Sequence, residues 1–183
     1  STLSSSSAAS DVYKRQDNFQ EDPQPVIAHR TSPTNFGLYL LSVVSARDFG
    51  WIGLTDMMRR LEATMETLHK LPRYHGHFYN WYETERLEVL SPRYISTVDS
   101  GNLAGHLFAL AQACKDAKEQ SVLRPTIVAG MRDAVLLLRL AIDGIGQELR
   151  TQAVTINELR KSTEQFSDCL LYTSPSPRDK RQS

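Results

Sequence analysis

The stretch SPTNFGLYLLSVVSARD, residues 32–48, places apolar side chains on nearly every side of one predicted helix. Ser32 suits the N-cap position and Pro33 suits the first turn, and the helix should end near Gly50. Its apolar positions are Phe36, Leu38, Tyr39, Leu40, Leu41, Val43, Val44 and Ala46. A helix that is apolar all round is normally buried, so the fold must surround this one with other elements.

The helices that follow alternate in character. They are predicted over residues 55–71, 99–117, 125–143 and, more weakly, about 147–166. The second has one apolar stripe opposite charged residues, so it covers a core. The third, capped near Asp99 or Ser100, is mostly apolar and should be buried. The fourth helix, which begins at Pro125, has a polar side, so it should cover a core as the second does.

The order of buried and covering helices predicts an all-α fold. Its connections alternate too: the one after the first helix is short, and the one over residues 72–98 is long and aromatic. Both buried helices then begin at the end where this long connection lies. We therefore predict a partial (α/α)6 toroid of inner and outer helices, with a long aromatic loop or short β-hairpin. A complete toroid needs about twice as many helices, and the alternative is an ordinary helical bundle or solenoid.

The two ends of the chain look unlike protein sequence. The segment DVYKRQ can be encoded by a DNA string whose reverse complement, read one base over, encodes CLLYTS near the other end. This relation is typical of translated sequencing adaptors that flank a DNA insert. We expect residues 1–16 and 169–183 to be non-native tails around one partial domain, residues 17–168.

Charge and composition exclude several classes of function. Without the expected tails, Lys and Arg fall from 21 to 16, and Asp and Glu fall from 21 to 19, so the net charge is 16 − 19 = −3. This balance argues against a nucleic-acid partner. Cys114 remains as a lone cysteine, and no ligand spacing predicts a metal site. No glycine-rich nucleotide loop is present, and we expect no cofactor. The longest apolar run is too short to span a bilayer.

Three polar or aromatic segments should meet where the inner helices begin: AHRTSPTN, GHFYNWYETE and STVDSGN. In the first, Arg30 could bind sugar hydroxyls or a carboxylate, or pair with a local aspartate. In the second, alternation places His77, Tyr79 and Trp81 on one face, where flat rings with polar rims suit sugar C–H faces. Burial of the whole run is the alternative. Glu83 and Glu85 keep no assigned role.

The third segment supplies Asp99 and Asn102. Asp99 could cap the third helix, or it could be held in the cleft as a sugar ligand or a general acid or base. It is the one weak candidate for a catalytic residue. Together the segments predict carbohydrate chemistry, with Arg30, His77, Tyr79, Trp81, Asp99 and Asn102 in contact with the glycan.

The blocks HRTSPTN-GLYLLS, GHFYNWY-T and VDSGNLAGHL resemble the cyclic β-1,2-glucan synthases of bacteria, strongly over residues 17–115 and more loosely over 116–168. The resemblance implies a glucoamylase-like α/α toroid from the middle of a large inner-membrane enzyme that makes its product from UDP-glucose. It implies a β-1,2-glucan chain and the rest of that polypeptide as partners. The segment itself would be soluble, on the cytoplasmic side.

The same resemblance places the transmembrane glycosyltransferase domain upstream and a phosphorylase-like domain downstream, and it puts the expected catalytic carboxylates beyond residue 168. The chain would then be inactive alone. A non-catalytic glycan-binding platform and a purely structural helical module are the two alternative functions.

Overall fold

The computed structural model describes residues 19–20, 26–122, 124–144 and 156–172. This part contains five helices: α1 Pro33–Asp48, α2 Leu54–Lys70, α3 Thr97–Glu119, α4 Pro125–Gly144 and α5 Ile156–Tyr172. Its strands are two residues long: β1 Phe19–Gln20, β2 Val26–Ile27, β3 Arg30–Thr31, β4 Arg73–Tyr74, β5 His77–Phe78 and β6 Tyr82–Glu83. The all-α prediction is therefore confirmed for the part described. No helix among these residues has the length and apolar character that crossing a bilayer requires.

The helix boundaries agree with the sequence at most ends. α1 begins at Pro33 and α4 begins at Pro125, as proline in the first turn predicts. α3 begins at Thr97, two residues before the predicted cap. α5 extends to Tyr172, beyond the predicted end and across the expected boundary at residue 168. Most of the predicted tails, and residues 145–155, lie outside the described residues.

The chain divides into two compact units, here called the first unit and the second unit. The first unit comprises the described residues of 1–45 and 54–120, and the second comprises those of 46–53 and 121–183. The predicted site segments all belong to the first unit. The second unit holds the end of α1 together with α4 and α5.

Tyr82 lies at the centre of the first unit's core and is fully buried. Its hydroxyl donates to the Pro72 carbonyl at 2.7 Å and accepts from the Tyr79 backbone N–H at 2.9 Å, so burial leaves no polar atom of this ring unpaired. Burial raises the pKa of Tyr82. The surrounding buried side chains are Phe36, Leu68, Leu71 and Leu103. The aromatic segment is therefore held against this core through Tyr82.

The short strands fix the aromatic connection. β4 and β5 form a hairpin whose turn residues, His75 and Gly76, both have positive φ (47° and 84°), as a tight type I′-like turn requires. β6 pairs with β3 in antiparallel register, Arg30 opposite Glu83 and Thr31 opposite Tyr82. Residues 88–90 return along Trp81–Glu83, with Glu83 N–H donating to the Glu88 carbonyl at 2.8 Å. Of the two predicted forms of this connection, a long aromatic loop or a short β-hairpin, the structure shows short hairpin pairings.

Alternation along the aromatic run has the predicted effect. Asn80 and Tyr82 are buried and Phe78 is half-buried against the core. Of the other three residues, His77 is exposed and Trp81 is half-buried, whereas Tyr79 is half-buried and packs against the core as Phe78 does. The run is therefore a two-faced segment and is not buried as a whole.

The prediction that α3 is a buried helix is wrong for the described residues. Leu103 and Leu110 are buried, but Phe108 is 79% exposed and Val98 is 69% exposed. Cys114 is exposed as well. The described residues pack against one side of α3, and its second apolar side faces outward.

In the second unit, α4 closely approaches the turn that follows α1. A Cβ atom on Gly130 would lie 2.1 Å from the Gly50 carbonyl oxygen, so only glycine allows this contact. The Trp51 indole N–H donates to Asp133 at 2.8 Å. Val135, Ile142 and Leu170 are buried, whereas Leu136, Leu137, Leu138 and Leu140 are more than half exposed. α4 was predicted to cover a core with a polar side outward, and instead it exposes leucines on more than one side of the helix.

Candidate glycan-binding site

The structure brings the three predicted segments together in the first unit. Thr34, at the start of α1, and Asp99, in the first turn of α3, meet through a hydrogen bond from the Thr34 hydroxyl to Asp99 Oδ1 at 2.7 Å. The Asn102 amide donates to the same Thr34 hydroxyl oxygen at 3.1 Å. Two helix starts are therefore linked through side chains distant in sequence.

Asp99 does not cap α3, which corrects one reading of the sequence. Ser96 is the N-cap: its backbone is extended (φ −90°, ψ 123°) and its hydroxyl accepts from the Asp99 backbone N–H at 3.1 Å. Because Ser96 satisfies this N–H, the Asp99 carboxylate is available for contacts with other elements.

The Asp99 carboxylate is held in its ionised form. Burial by itself raises its pKa, but hydrogen bonds from the Ser96, Thr34 and Ser32 side chains, and from the Thr34 backbone N–H, outweigh this effect. The pKa of Asp99 therefore lies below its usual range, since each of these bonds favours the charged form. General-acid catalysis by a carboxyl group near neutral pH requires a raised pKa, so Asp99 is a poor general acid.

Asn80 connects Asp99 to the aromatic run. The Asn80 side-chain amide pairs with every neighbouring donor and acceptor when its Nδ2 donates to Asp99 Oδ2 at 2.8 Å. In that orientation its oxygen accepts from the Trp81 indole N–H at 2.7 Å and from the Tyr94 hydroxyl at 2.7 Å. The Asn80 backbone N–H also donates to the Tyr94 carbonyl at 2.9 Å. The indole ring is thus fixed by its edge, and its orientation is tied to the carboxylate through one amide.

Arg30 lies over the ring of Trp81, with its guanidinium carbon 4.6 Å from the ring centroid. The contact is a cation–π interaction at an exposed arginine. Trp81 is half-buried and Tyr94 is 45% exposed, so rings and polar groups are together accessible at this surface. We call Arg30, Asn80, Trp81, Tyr94, Asp99 and Asn102 the polar-aromatic cluster.

Two of the predicted residues lie elsewhere. His77 is exposed in β5, opposite Tyr74. Tyr79 lines a separate groove together with Arg73 and Arg93. The alternation rule grouped both with Trp81, but the run changes partner strand between β5 and β6, so the three side chains do not share one surface. The carboxylate of Glu83 accepts the backbone N–H groups of Glu85 and Arg86, at 2.8 and 2.6 Å, and so serves the turn.

Asn80, Tyr94 and Ser96 were not among the predicted site residues. Asn80 occupies a buried position of the alternating run, and a buried amide normally requires polar partners, which is a signal that sequence carries. Tyr94 and Ser96 carry no comparable signal, because their role depends on the path of the chain between β6 and α3.

No protein-family model matches the chain. A search of characterised proteins gives a long match to the cyclic β-(1,2)-glucan synthase NdvB of Rhizobium meliloti (strain 1021). The two sequences are 49% identical over 150 residues, which is 81% of this chain. The chain is homologous to a segment of a cyclic β-(1,2)-glucan synthase. The resemblance expected from the sequence blocks is confirmed.

The aligned region is a small part of the synthase, because the chain spans 5% of its length. A match of this length and identity assigns the chain to one segment of that polypeptide. The polar-aromatic cluster therefore lies in a chain that is homologous to a segment of a cyclic β-(1,2)-glucan synthase.

Proposed function

We propose that this segment binds the β-1,2-glucan chain within a cyclic β-1,2-glucan synthase, and that the polar-aromatic cluster is the contact surface. The observation that carries the proposal is the fixed Trp81 ring, tied through Asn80 to an ionised Asp99, in a chain homologous to that synthase. A flat ring offers a stacking surface to a sugar face, and the surrounding carboxylate, amide and guanidinium groups offer partners to sugar hydroxyls.

The arrangement favours binding over catalysis. The pKa of Asp99 is lowered, and its two oxygens already accept from Thr34 and Asn80. The Ser32 and Ser96 side chains hydrogen-bond to the same carboxylate, so Asp99 mainly positions the surrounding groups, and a sugar hydroxyl would replace or share one of these bonds. Burial of the rings against the core would favour a purely structural role. Tyr79 is half-buried and packs against the core, whereas Trp81 is half-buried and is not part of that core cluster. Arg30, Trp81, Asp99 and Asn102 are our glycan contacts, and we retain His77 and Tyr79 only as outer contacts of a long chain.

The larger polypeptide completes this proposal. We infer that it uses UDP-glucose, that its glycosyltransferase domain is in the inner membrane, and that this segment lies on the cytoplasmic side as part of a glucoamylase-like (α/α)6 toroid. The rest of that polypeptide and the glucan are then the partners of this segment. The outward apolar side of α3 supports the toroid, since inner helices need neighbours on all sides.

The test is binding of a linear β-1,2-linked glucose oligomer to the full chain, followed by calorimetry and by tryptophan fluorescence. The chain has two tryptophans, and Trp51 lies in the second unit, so Trp51→Leu is a matched control for Trp81→Leu. We expect Trp81→Leu to weaken binding about tenfold or more, equivalent to roughly 1.4 kcal/mol. Trp51→Leu should change it less than twofold.

Trp81→Phe separates the two contributions of the indole, because it keeps a ring and removes the N–H that Asn80 accepts. Binding intermediate between wild type and Trp81→Leu is expected. Equal binding by all variants, or an equal loss in Trp51→Leu, would show that the cluster is not the glucan surface. In a full-length synthase carrying this segment, Trp81→Ala and Asp99→Asn should alter product size or yield.

A further inference from the structure

A second surface of the first unit is a groove of about 760 Å³, separate from the polar-aromatic cluster. Four positively charged side chains line it, Lys70, Arg73, Arg86 and Arg93, and Glu88 is the single carboxylate among its lining residues. The formal charge of the lining is thus 4 − 1 = +3. The whole chain has 21 basic and 21 acidic residues, so the groove is not a consequence of a basic composition.

The groove cations differ from five other described arginines, which have carboxylate partners. Elsewhere, ion pairs join Arg59 and Arg60 to Asp56, Arg47 and Arg124 to Asp48, and Arg160 to Asp143. Among the described residues, none of the four groove cations makes such an ion pair. Like charges brought together without counter-charges repel one another, so the arrangement favours an anionic occupant.

Arg73 is held in place for such a role. Its guanidinium carbon lies 4.3 Å from the centroid of the Phe78 ring, and its Nη2 donates to the Leu68 carbonyl at 3.2 Å. A guanidinium carries five N–H donors, so most of them remain for a ligand. Tyr79, whose backbone N–H is fixed by the Tyr82 hydroxyl, forms part of the same wall.

We propose that this groove binds a phosphate group, either free or as the ester of a small molecule. Planar guanidinium forks match the oxygens of phosphate, and several converging cations give strong charge-assisted hydrogen bonds. The volume is that of a small-molecule site. The near-neutral charge of the whole chain disfavours a nucleic acid, which requires an extended basic surface. The charged residues of the groove all lie outside the polar-aromatic cluster, and Tyr79 is the one lining residue that the groove shares with our proposed glycan contacts.

The test is calorimetric titration of the full chain at low ionic strength with inorganic phosphate, glucose 1-phosphate and glucose in separate experiments. We expect both phosphates to bind and glucose not to bind at this groove. Tighter binding of glucose 1-phosphate would identify an ester as the source, and equal binding would identify free phosphate. Arg93→Gln should weaken phosphate binding about tenfold, the change expected when one charge-assisted hydrogen bond is lost.

Arg59→Gln is the matched control, because Arg59 is an exposed arginine of the same unit whose partner is Asp56, outside the groove. It should change phosphate binding less than twofold. Equal weakening in both variants, or no phosphate binding by wild type at about 10 mM phosphate, would overturn the proposal. The proposal would also be overturned if a short single-stranded oligonucleotide bound the wild-type chain more tightly than phosphate does, and if Arg93→Gln weakened that binding. Trp81→Leu must leave phosphate binding unchanged, which separates this result from the glucan test.

Discussion

At the scale of single residues, the position of Asp99 in the first turn of α3 explains its chemistry. Ser96 caps the helix, so the Asp99 side chain reaches Thr34 and Asn80. A carboxylate in a helix's first turn is also stabilised by the partial positive charge of the helix N-terminus. The same bonds that hold Asp99 ionised therefore join α3 to α1 and to the aromatic run.

Asp99→Asn should destabilise the chain in a pH-dependent way. Because the folded-state pKa is lowered, the ionised group stabilises the fold above its unfolded pKa of about 3.9, and this stabilisation is lost as pH falls through the lower folded pKa. We expect a loss of about 1–3 kcal/mol in the free energy of unfolding near pH 7, the range for a charged hydrogen-bonded group. The difference from wild type should shrink below about pH 4. Urea unfolding at several pH values measures it.

Asp116→Asn is the control for this experiment, because Asp116 is exposed on the same helix and its carboxylate accepts a local bond from the Gln112 amide at 2.8 Å. Its effect on the free energy of unfolding should stay within about 0.5 kcal/mol. A constant difference between wild type and Asp99→Asn from pH 7 to pH 3 would contradict an ionised Asp99.

At the scale of elements, α1 and α3 approach each other at Gly37 and His106. A Cβ atom at position 37 would lie 2.2 Å from His106 Nδ1 and 2.7 Å from its Cβ. Rotation of the imidazole cannot relieve the second contact, so the two helices would have to separate. Gly37 is the small residue in an otherwise apolar helix. It therefore sets the distance between α1 and α3, the two helices beside the polar-aromatic cluster.

Gly37→Ala should therefore destabilise the chain by about 1–3 kcal/mol, the usual cost of overpacking, although alanine is the better helix former. In a chain that carries His106→Gly, which removes the Cβ as well as the imidazole, the added cost of Gly37→Ala should be small. Thermal or urea unfolding of the single and double variants measures both effects.

The control is Gly105→Ala on α3, where an added Cβ meets nothing within 4 Å. That change should be neutral or stabilising by up to about 1 kcal/mol. If Gly37→Ala were as harmless as Gly105→Ala, the close approach of α1 and α3 would not exist in solution.

The elements also show what sequence can and cannot predict. Proline and capping signals act within one turn, so they located the starts of α1 and α4 well. The alternation of Phe78, Asn80 and Tyr82 likewise identified the buried face of the aromatic run. The partners of Tyr79 and Trp81 were not predictable in this way, because they depend on strands that pair over long separations. Periodicity also cannot say whether an apolar side has a neighbour, which is why the exposure of Phe108 was missed.

At the scale of the whole molecule, the exposed apolar residues and the homology both bear on whether further polypeptide covers this chain. Phe108 and Val98 in the first unit, and Leu137 in the second, expose apolar side chains that are normally covered. The chain covers only 5% of the synthase to which it is homologous. In our proposal, the rest of a synthase polypeptide covers these surfaces, as a toroid requires.

This reasoning predicts that one substitution will have different costs in two contexts. Phe108→Ser should change the free energy of unfolding of the chain alone by less than about 0.5 kcal/mol, because the ring is already 79% exposed. In a full-length synthase carrying this segment, the same change should cost about 3–5 kcal/mol, as for a buried phenylalanine that is lost, and should lower the yield of folded enzyme. Leu103→Ser, at a position 5% exposed, should be costly in both contexts.

An apolar dye should bind the wild-type chain and lose signal in Phe108→Ser. If Phe108→Ser were harmless in the full-length synthase too, the outer side of α3 would face solvent there, and α3 could not be an inner helix of a toroid.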